Sequence, residues 1–108
     1  MSFEEAINIV KERFSDPSIK SSLSGFSKTI LLNFPDRNAS YILEIENGEL
    51  KKFEPGSIEA PDVTITMDSE TFVKVINKSM SPVKAYMTGK IKIKGSASDL
   101  LKLRKVLF

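Results

Sequence analysis

The side chains available for covalent or acid–base chemistry are few in kind, because the 108-residue chain contains neither cysteine nor histidine. Without them, a nucleophile has to be Ser, Thr, Lys or a carboxylate that a second carboxylate or a lysine activates. Ser79 and Ser81 stand in no segment that resembles a nucleophile elbow. Disulfides and thiolate metal sites are excluded by the absence of cysteine.

The acidic residues each have a structural explanation in the elements that the sequence predicts. Some fall on a predicted hairpin, namely Glu44, Glu46, Glu49 and Glu54. Others, Glu4, Glu5 and Glu70, fall in first helical turns, where negative charge suits the helix dipole. No glycine-rich phosphate loop is present. The sequence therefore predicts a protein that is not an enzyme and that uses no cofactor and no metal ion.

Three lysines, Lys90, Lys92 and Lys94, alternate with Ile91 and Ile93 and indicate a half-buried strand. The lysine face is either a solvated surface that protects an edge strand or part of a site for anionic lipid headgroups or acyl-coenzyme A phosphates. In the second interpretation it acts together with Lys102, Arg104 and Lys105. Nucleic acid is not an expected partner, because the net charge is only +2 and no aromatic residues interleave with the basic ones.

Two predicted helices enclose this lysine-rich strand. Ser81 can cap the first, Pro82 fits its first turn, and Gly89 fits the position after its last turn. Ser96 and Asp99 have the spacing of a capping box, which begins the second helix. The last third of the chain therefore predicts a short helix, a strand and an apolar terminal helix.

Apolar residues recur at helical spacing in three predicted helices of the second half of the chain. They are Phe72, Ile76 and Met80 in one helix, Tyr86 and Met87 in the next, and Leu100, Leu103 and Leu107 in the last. Helices over a sheet need apolar faces, so these side chains can simply form the core. The alternative is a surface that binds an apolar ligand, since methionine adapts to varied apolar ligands and the Tyr86 hydroxyl can meet a polar group.

The first two thirds of the chain predict a capped helix followed by strands. Ser2 and Glu5 form a capping box for a helix that ends near Ser15, and residues 26–34 alternate as a strand. Asn47-Gly48 indicates a two-residue hairpin turn. That turn places Ile45 opposite Leu50, Glu44 opposite Lys51 and Ile42 opposite Phe53. A further strand over residues 63–67 leads into a helix that Asp68 caps, which gives the order α-β-β-β-β-α-α-β-α and an α+β class.

The segment 85–95, Ala-Tyr-Met-Thr-Gly-Lys-Ile-Lys-Ile-Lys-Gly, precedes a leucine-rich helix and resembles the signature of the sterol carrier protein 2 domain family. The segment 62–72, in which an alternating strand leads into an acidic-capped helix, also resembles that family. The resemblance covers the whole chain and implies a five-stranded mixed sheet with helices over one face. Lys78, where the family often has glycine, and Ala97, where a larger residue such as methionine is common, depart from the pattern.

The resemblance implies a non-catalytic lipid carrier that holds a sterol, a fatty acid or a fatty acyl-coenzyme A-like ligand in a tunnel between sheet and helices. The residues expected to line this tunnel are Phe72, Ile76, Met80, Tyr86, Met87, Leu100, Leu103 and Leu107. The last helix, with an exposed apolar end at residues 106–108, is the expected lid and the expected point of contact with a membrane. The alternative function is a protein-interaction or dimerisation module with a closed core.

The length predicts a single domain over residues 1–108. No apolar run is long enough to cross a bilayer, and residues 1–5 do not resemble a secretory signal. The chain does not end in the peroxisomal tripeptide Ser-Lys-Leu. We therefore expect a cytoplasmic protein similar to the stand-alone prokaryotic members of the family, whose partners are a lipid and, transiently, an anionic membrane. The oligomeric state stays open.

Overall fold

The computed structural model describes residues 1–107, in which helices pack against a five-stranded sheet. The helices are α1 (Phe3–Arg13), α2 (Pro17–Ser22), α3 (Ser69–Ile76), α4 (Pro82–Met87) and α5 (Ala97–Leu107), with a 3-10 turn at Pro35–Arg37. The strands are β1 (Lys28–Phe34), β2 (Ala39–Glu46), β3 (Glu49–Pro55), β4 (Val63–Met67) and β5 (Ile91–Lys94).

The strand order across the sheet is β3-β2-β1-β4-β5. β1 and β4 pair in parallel and the other neighbours pair antiparallel, so the predicted five-stranded mixed sheet is confirmed. The connection from β1 to its parallel neighbour β4 runs through β2, β3 and residues 56–62, which carry the chain from the β3 edge to the other side of β1. Asp62 fixes the end of this connection, because its carboxylate accepts hydrogen bonds from the Thr29 amide at 2.8 Å and the Thr29 hydroxyl at 3.1 Å. These bonds lower the pKa of Asp62.

Side-chain caps begin α1 and α5 at the predicted positions. The Ser2 hydroxyl accepts a hydrogen bond from the Glu5 amide, and the Glu5 carboxylate accepts one from the Ser2 amide, both at 3.1 Å. The first capping box is therefore confirmed. The Ser96 hydroxyl accepts a bond from the Asp99 amide at 3.2 Å. Local sequence thus fixes where both helices begin.

Two carboxylates meet the free amides of α3. Asp68 accepts a hydrogen bond from the Thr71 amide at 2.7 Å, as predicted for a cap. Asp36, in the 3-10 turn after β1, accepts bonds from the Ser69 hydroxyl and the Ser69 amide, the latter at 2.9 Å. These bonds from Ser69 lower the pKa of Asp36 below its usual value. The second cap comes from a distant part of the chain and ties α3 to the end of β1.

The predicted register of the β2–β3 hairpin is correct at the turn and wrong beyond it. Ile45 does lie opposite Leu50, but a β-bulge follows. It places Glu44 opposite Lys52 rather than Lys51, Leu43 rather than Ile42 opposite Phe53, and Ile42 opposite Glu54. The shift has a packing reason: Leu43 is buried on the face that the helices cover, and the bulge brings Phe53 to that face. Glu44 still forms a salt bridge with a lysine, because its Oε2 lies 3.7 Å from Lys52 Nζ.

The core lies between the helices and one face of the sheet. On β1, Ile30, Leu32 and Phe34 are buried there, alternating with partly exposed residues. Phe34 meets Phe3 of α1 edge-on, with ring centroids 4.9 Å apart, and meets Phe72 of α3 at 5.1 Å. Aromatic pairs in this geometry add to the stabilisation that burial provides. α1 and α3 are therefore held firmly over the centre of the sheet.

The C-terminal turn of α5 is buried, and the expectation of an exposed apolar tip there is wrong for Val106 and Leu107. Their side chains are 0% and 2% exposed. Arg13 of α1 donates a hydrogen bond to the Val106 carbonyl at 3.1 Å and so satisfies a free carbonyl at the helix end. Burial lowers the pKa of the Arg13 guanidinium, which remains charged. Phe108 lies outside the described residues. A lid that swings on α5 cannot open at this end without breaking these contacts.

Candidate functional site

An apolar groove of about 410 Å³ lies where α4 and α5 flank the edge strand β5. Its floor is formed by Ile91 and Ile93 of β5 and by Ile65 of β4. The α4 wall consists of Pro82, Val83 and Tyr86, and the α5 wall consists of Ala97, Leu100, Leu101, Leu103 and Arg104. The volume falls within the ~300–1,000 Å³ that is typical of small-molecule sites.

The local sequence explains why the groove stays open. β5 alternates, so Ile91 and Ile93 both face the helices while Lys92 and Lys94 face the other way. α4 has only six residues and packs on the sheet through its buried Ala85. Two small residues, Ala85 on α4 and Ala97 on α5, leave space above Ile91 and Ile93. Larger side chains at these positions would fill that space.

The rim of the groove exposes large apolar side chains. Leu101 is 71% exposed, Val83 54% and Tyr86 53%. Such exposure is uncommon for residues of this size when they are grouped, and grouped apolar exposure marks sites that bind a ligand or a surface. The groove therefore has the apolar, accessible character that a candidate lipid-binding site requires.

Tyr86 and Arg104 are the residues of the groove lining whose side chains carry a polar group. Neither makes a hydrogen bond or a salt bridge to another side chain within residues 1–107. Asp99, the acidic residue nearest along the chain, pairs with Lys28 at 3.8 Å instead. The groove can therefore offer one hydroxyl and one positive charge to the polar end of a mainly apolar ligand.

The eight residues predicted to bind lipid do not lie together. Tyr86, Leu100 and Leu103 line the groove. Phe72, Ile76 and Leu107 are buried in the core, and Met80 is partly buried and packs against it. Met87 is 79% exposed on the outer side of α4 and does not line the groove.

Sequence reasoning missed most of the groove lining, including Ile65, Pro82, Val83, Ala97 and Leu101, although it named Arg104 as part of a possible headgroup site. A usable signal was present for part of it. Residues 97, 100, 101 and 104 are spaced three and four apart, so they share one face of a helix next to the buried stripe. The strand alternation also assigned Ile91 and Ile93 to one face. The sequence did not indicate which two helices border that face.

The alternating lysines of residues 90–94, here called the lysine ladder, lie on the side of the sheet away from the groove. Lys92 stands opposite Thr66 and Lys94 opposite Thr64, on the face that no helix covers. Lys90 is exposed immediately before β5. Because β5 is an edge strand, these positions fit the interpretation that the lysines protect an edge. The ladder does not reach into the groove beside Arg104.

A family model described as the SCP-2 sterol transfer family matches residues 7–108. The chain belongs to this family. Among curated proteins, hydroxysteroid dehydrogenase-like protein 2 of Xenopus laevis is 31% identical over 106 residues, which cover 96% of this chain and 24% of that protein. The chain thus spans about a quarter of the length of the curated relatives that it matches.

Solved structures of sterol carrier proteins share the fold. Palmitated SCP2L2 from Aedes aegypti superposes with a TM-score of 0.76 at 24% identity, over 99% of this chain and 95% of that one. The sec-alkylsulfatase Pisa1 from Pseudomonas sp. superposes with a TM-score of 0.68 at 22% identity, over 82% of this chain but only 14% of the sulfatase. At these identities the likeness establishes the fold alone, which is the α+β sterol carrier fold.

The two departures from the sterol carrier pattern have different structural consequences. Lys78 has φ +66°, a left-handed conformation that favours glycine. It follows the last turn of α3, where its amide bonds to the Val75 carbonyl at 3.1 Å and the Ser79 amide bonds to the Lys74 carbonyl at 2.9 Å. These two bonds form a Schellman motif. Ala97 lines the groove, so its small side chain widens the site.

Residues 1–107 contain neither a metal-binding cluster nor a membrane-spanning helix. No three acidic side chains gather there as potential ligands of a metal ion. None of the helices described has the length and apolar character needed to cross a membrane. The groove between α4, β5 and α5 remains the candidate site.

Proposed function

We propose that residues 1–108 form one non-catalytic carrier domain that binds a lipid chain in the groove between α4, β5 and α5. The observation that carries the proposal is the groove itself, which combines apolar walls, an exposed apolar rim and a volume of about 410 Å³. Membership of the sterol transfer family supports the same role. The bound molecule is a sterol, a fatty acid or a fatty acyl-coenzyme A-like ligand.

Binding is driven by burial of the ligand's apolar surface. Each methylene group that leaves water contributes about 0.8 kcal/mol. The affinity for a series of saturated fatty acids should therefore rise by roughly fourfold for each added methylene until the groove is full. We propose that Arg104, which lines the groove, pairs with a carboxylate or phosphate, and that the Tyr86 hydroxyl donates a hydrogen bond to the same group.

The residues proposed to contact the ligand differ from the set predicted from the sequence. We retain Tyr86, Leu100 and Leu103, which line the groove. We assign Phe72, Ile76 and Leu107 to structural packing, because each is buried in the core. Val83, Ala97 and Leu101 take their place as ligand contacts.

The proposal is tested by filling the groove without disturbing the core. Ala97→Phe places a ring in the groove from an exposed position, whereas Ser98→Phe places the same ring one residue along α5, at a position that does not line the groove. We expect Ala97→Phe to weaken binding of a fluorescent fatty-acid analogue at least tenfold, with a circular dichroism spectrum like that of the wild type. Ser98→Phe should bind as the wild type does.

Saturable binding by the wild-type protein that Ala97→Phe leaves unchanged would show that the ligand lies elsewhere. No saturable binding of fatty acid, acyl-coenzyme A or sterol by the wild-type protein would contradict the carrier function. The protein would then fit the alternative, an interaction or dimerisation module with a closed core, and light scattering would be expected to give the mass of a dimer.

A further inference from the structure

The exposed large apolar side chains of the molecule concentrate at one place. Residues 1–107 contain five of them, and four lie on α4 and α5 on either side of the groove: Val83, Tyr86, Met87 and Leu101. Val83 and Met87 are four residues apart and share one face of α4. Ala85 holds the opposite face of α4 against the sheet, so the Met87 side chain points away from the protein, while Val83 borders the groove. We call the four side chains the α4–α5 apolar rim.

Positive charge surrounds the α4–α5 apolar rim. Helices α4 and α5 carry four basic residues, Lys84, Lys102, Arg104 and Lys105, and one acidic residue, Asp99. Lys84 is exposed on α4, next to Val83, and Lys105 is exposed on α5, four residues after Leu101. Arg104 lines the groove between them. Asp99 is engaged with Lys28, so it does not offset these charges at the rim.

We infer that the α4–α5 apolar rim docks on an anionic lipid bilayer and that the groove opens toward that surface. Apolar side chains flanked by Lys and Arg are the combination that binds the interface of an anionic membrane, since the apolar groups enter the headgroup region and the cations meet the phosphates. The inference rests on the proposed function in one respect: an open groove at the contact lets a lipid pass without crossing water.

Charge favours a membrane over a second copy of the chain as the occupant. A two-fold dimer through this face would bring two identical basic surfaces together, which is unfavourable. The first helix is a poor alternative for membrane contact. The exposed residues of α1 include Glu4, Glu5 and Glu12, which an anionic surface repels. The membrane contact is therefore assigned to α4 and α5 rather than to α1 or to the buried end of α5.

The chain offers a clean reporter, because it contains no tryptophan. Met87→Trp places an indole on the rim at its most exposed position, outside the groove. Lys20→Trp is the matched control, since Lys20 is exposed beside Gly48 at the turn between β2 and β3, and β3 is the sheet edge opposite β5. With vesicles of phosphatidylcholine and phosphatidylserine, we expect a blue shift of the Met87→Trp emission and none for Lys20→Trp. Phosphatidylcholine vesicles alone should produce little shift.

Removal of charge provides the second measurement. Lys84→Gln and Lys105→Gln should each weaken partitioning onto phosphatidylserine vesicles by roughly fivefold, the factor that corresponds to about 1 kcal/mol per basic residue near an anionic surface. Lys20→Gln, the matched control, should have no such effect. Added salt should weaken the binding of the wild-type protein.

Three results would overturn the inference: no shift of Met87→Trp with anionic vesicles, an equal shift for Lys20→Trp, or an equal shift with neutral vesicles. A blue shift without vesicles that grows with protein concentration would assign the rim to a second copy and would also overturn it. Binding of the fluorescent fatty-acid analogue in vesicle-free solution separates the two proposals. Ligand binding without docking refutes only the membrane contact, and docking without ligand binding refutes only the carrier function.

Discussion

Lys78 departs from the family pattern at a position where its backbone conformation is strained. Its φ of +66° is the conformation that closes the Schellman motif after α3, and a side chain in that conformation is strained. The family often has glycine there, which has no such penalty. The strain could not be read from the sequence alone, because it depends on α3 ending at Ile76 rather than one residue later.

We expect Lys78→Gly to raise the free energy of unfolding by up to about 1 kcal/mol, because glycine adopts a positive φ without steric cost. The matched control is Lys102→Gly, an exposed lysine inside α5, where glycine should lower the free energy of unfolding by about 1 kcal/mol. Urea denaturation measures both. Equal losses in the two variants would mean that Lys78 is not strained.

At the scale of elements, α5 has a core face and a groove face that periodicity cannot separate. Leu103 and Leu107 are buried, Leu100 is partly buried and Leu101 is largely exposed, although all four are leucines within two turns. The sequence correctly indicated an apolar helix. It could not indicate which apolar residues pack and which line a site, because that division depends on α4 and β5.

Alanine substitutions on the two faces of α5 should therefore differ in their effect on stability. Leu103→Ala should lower the free energy of unfolding by about 2–5 kcal/mol, since it leaves a cavity under a fully buried position. Leu101→Ala should change it by no more than about 0.5 kcal/mol. Denaturation midpoints at equal slope check the difference. Similar losses at the two positions would place Leu101 in the core and contradict the groove.

The register of the β2–β3 hairpin was also only partly predictable from the sequence. The turn type and the nearest pair were predicted from Asn47-Gly48, because a two-residue turn fixes the register beside it. The bulge was missed, since it serves a distant requirement: Phe53 must reach the face that α1 covers, where the Lys11 ammonium lies 5.1 Å from the centre of its ring. Helix starts were predictable because their caps lie within three residues along the chain.

At the scale of the whole molecule, ligand binding should appear as stability. A ligand that binds only the folded state raises the free energy of unfolding by about 2.7 kcal/mol when its concentration is one hundred times the dissociation constant. For a domain of this size, the melting temperature should rise by roughly 10 °C. Differential scanning calorimetry with increasing fatty acid measures the effect. The melting temperature of Ala97→Phe should not rise with the fatty-acid concentration. A wild-type melting temperature that does not change with that concentration would contradict the carrier function.

The uneven distribution of charge along the chain has a kinetic consequence. The first eighty residues carry thirteen acidic and nine basic side chains, whereas the α4–β5–α5 end is strongly basic. The molecule measures 31 × 29 × 26 Å, several times the Debye length of about 8 Å at physiological ionic strength. Salt therefore screens the interaction of a charged surface with all but the nearest charges of the molecule. If the α4–α5 apolar rim docks as we infer, the molecule should rotate during its approach to an anionic bilayer, so that its basic end arrives first.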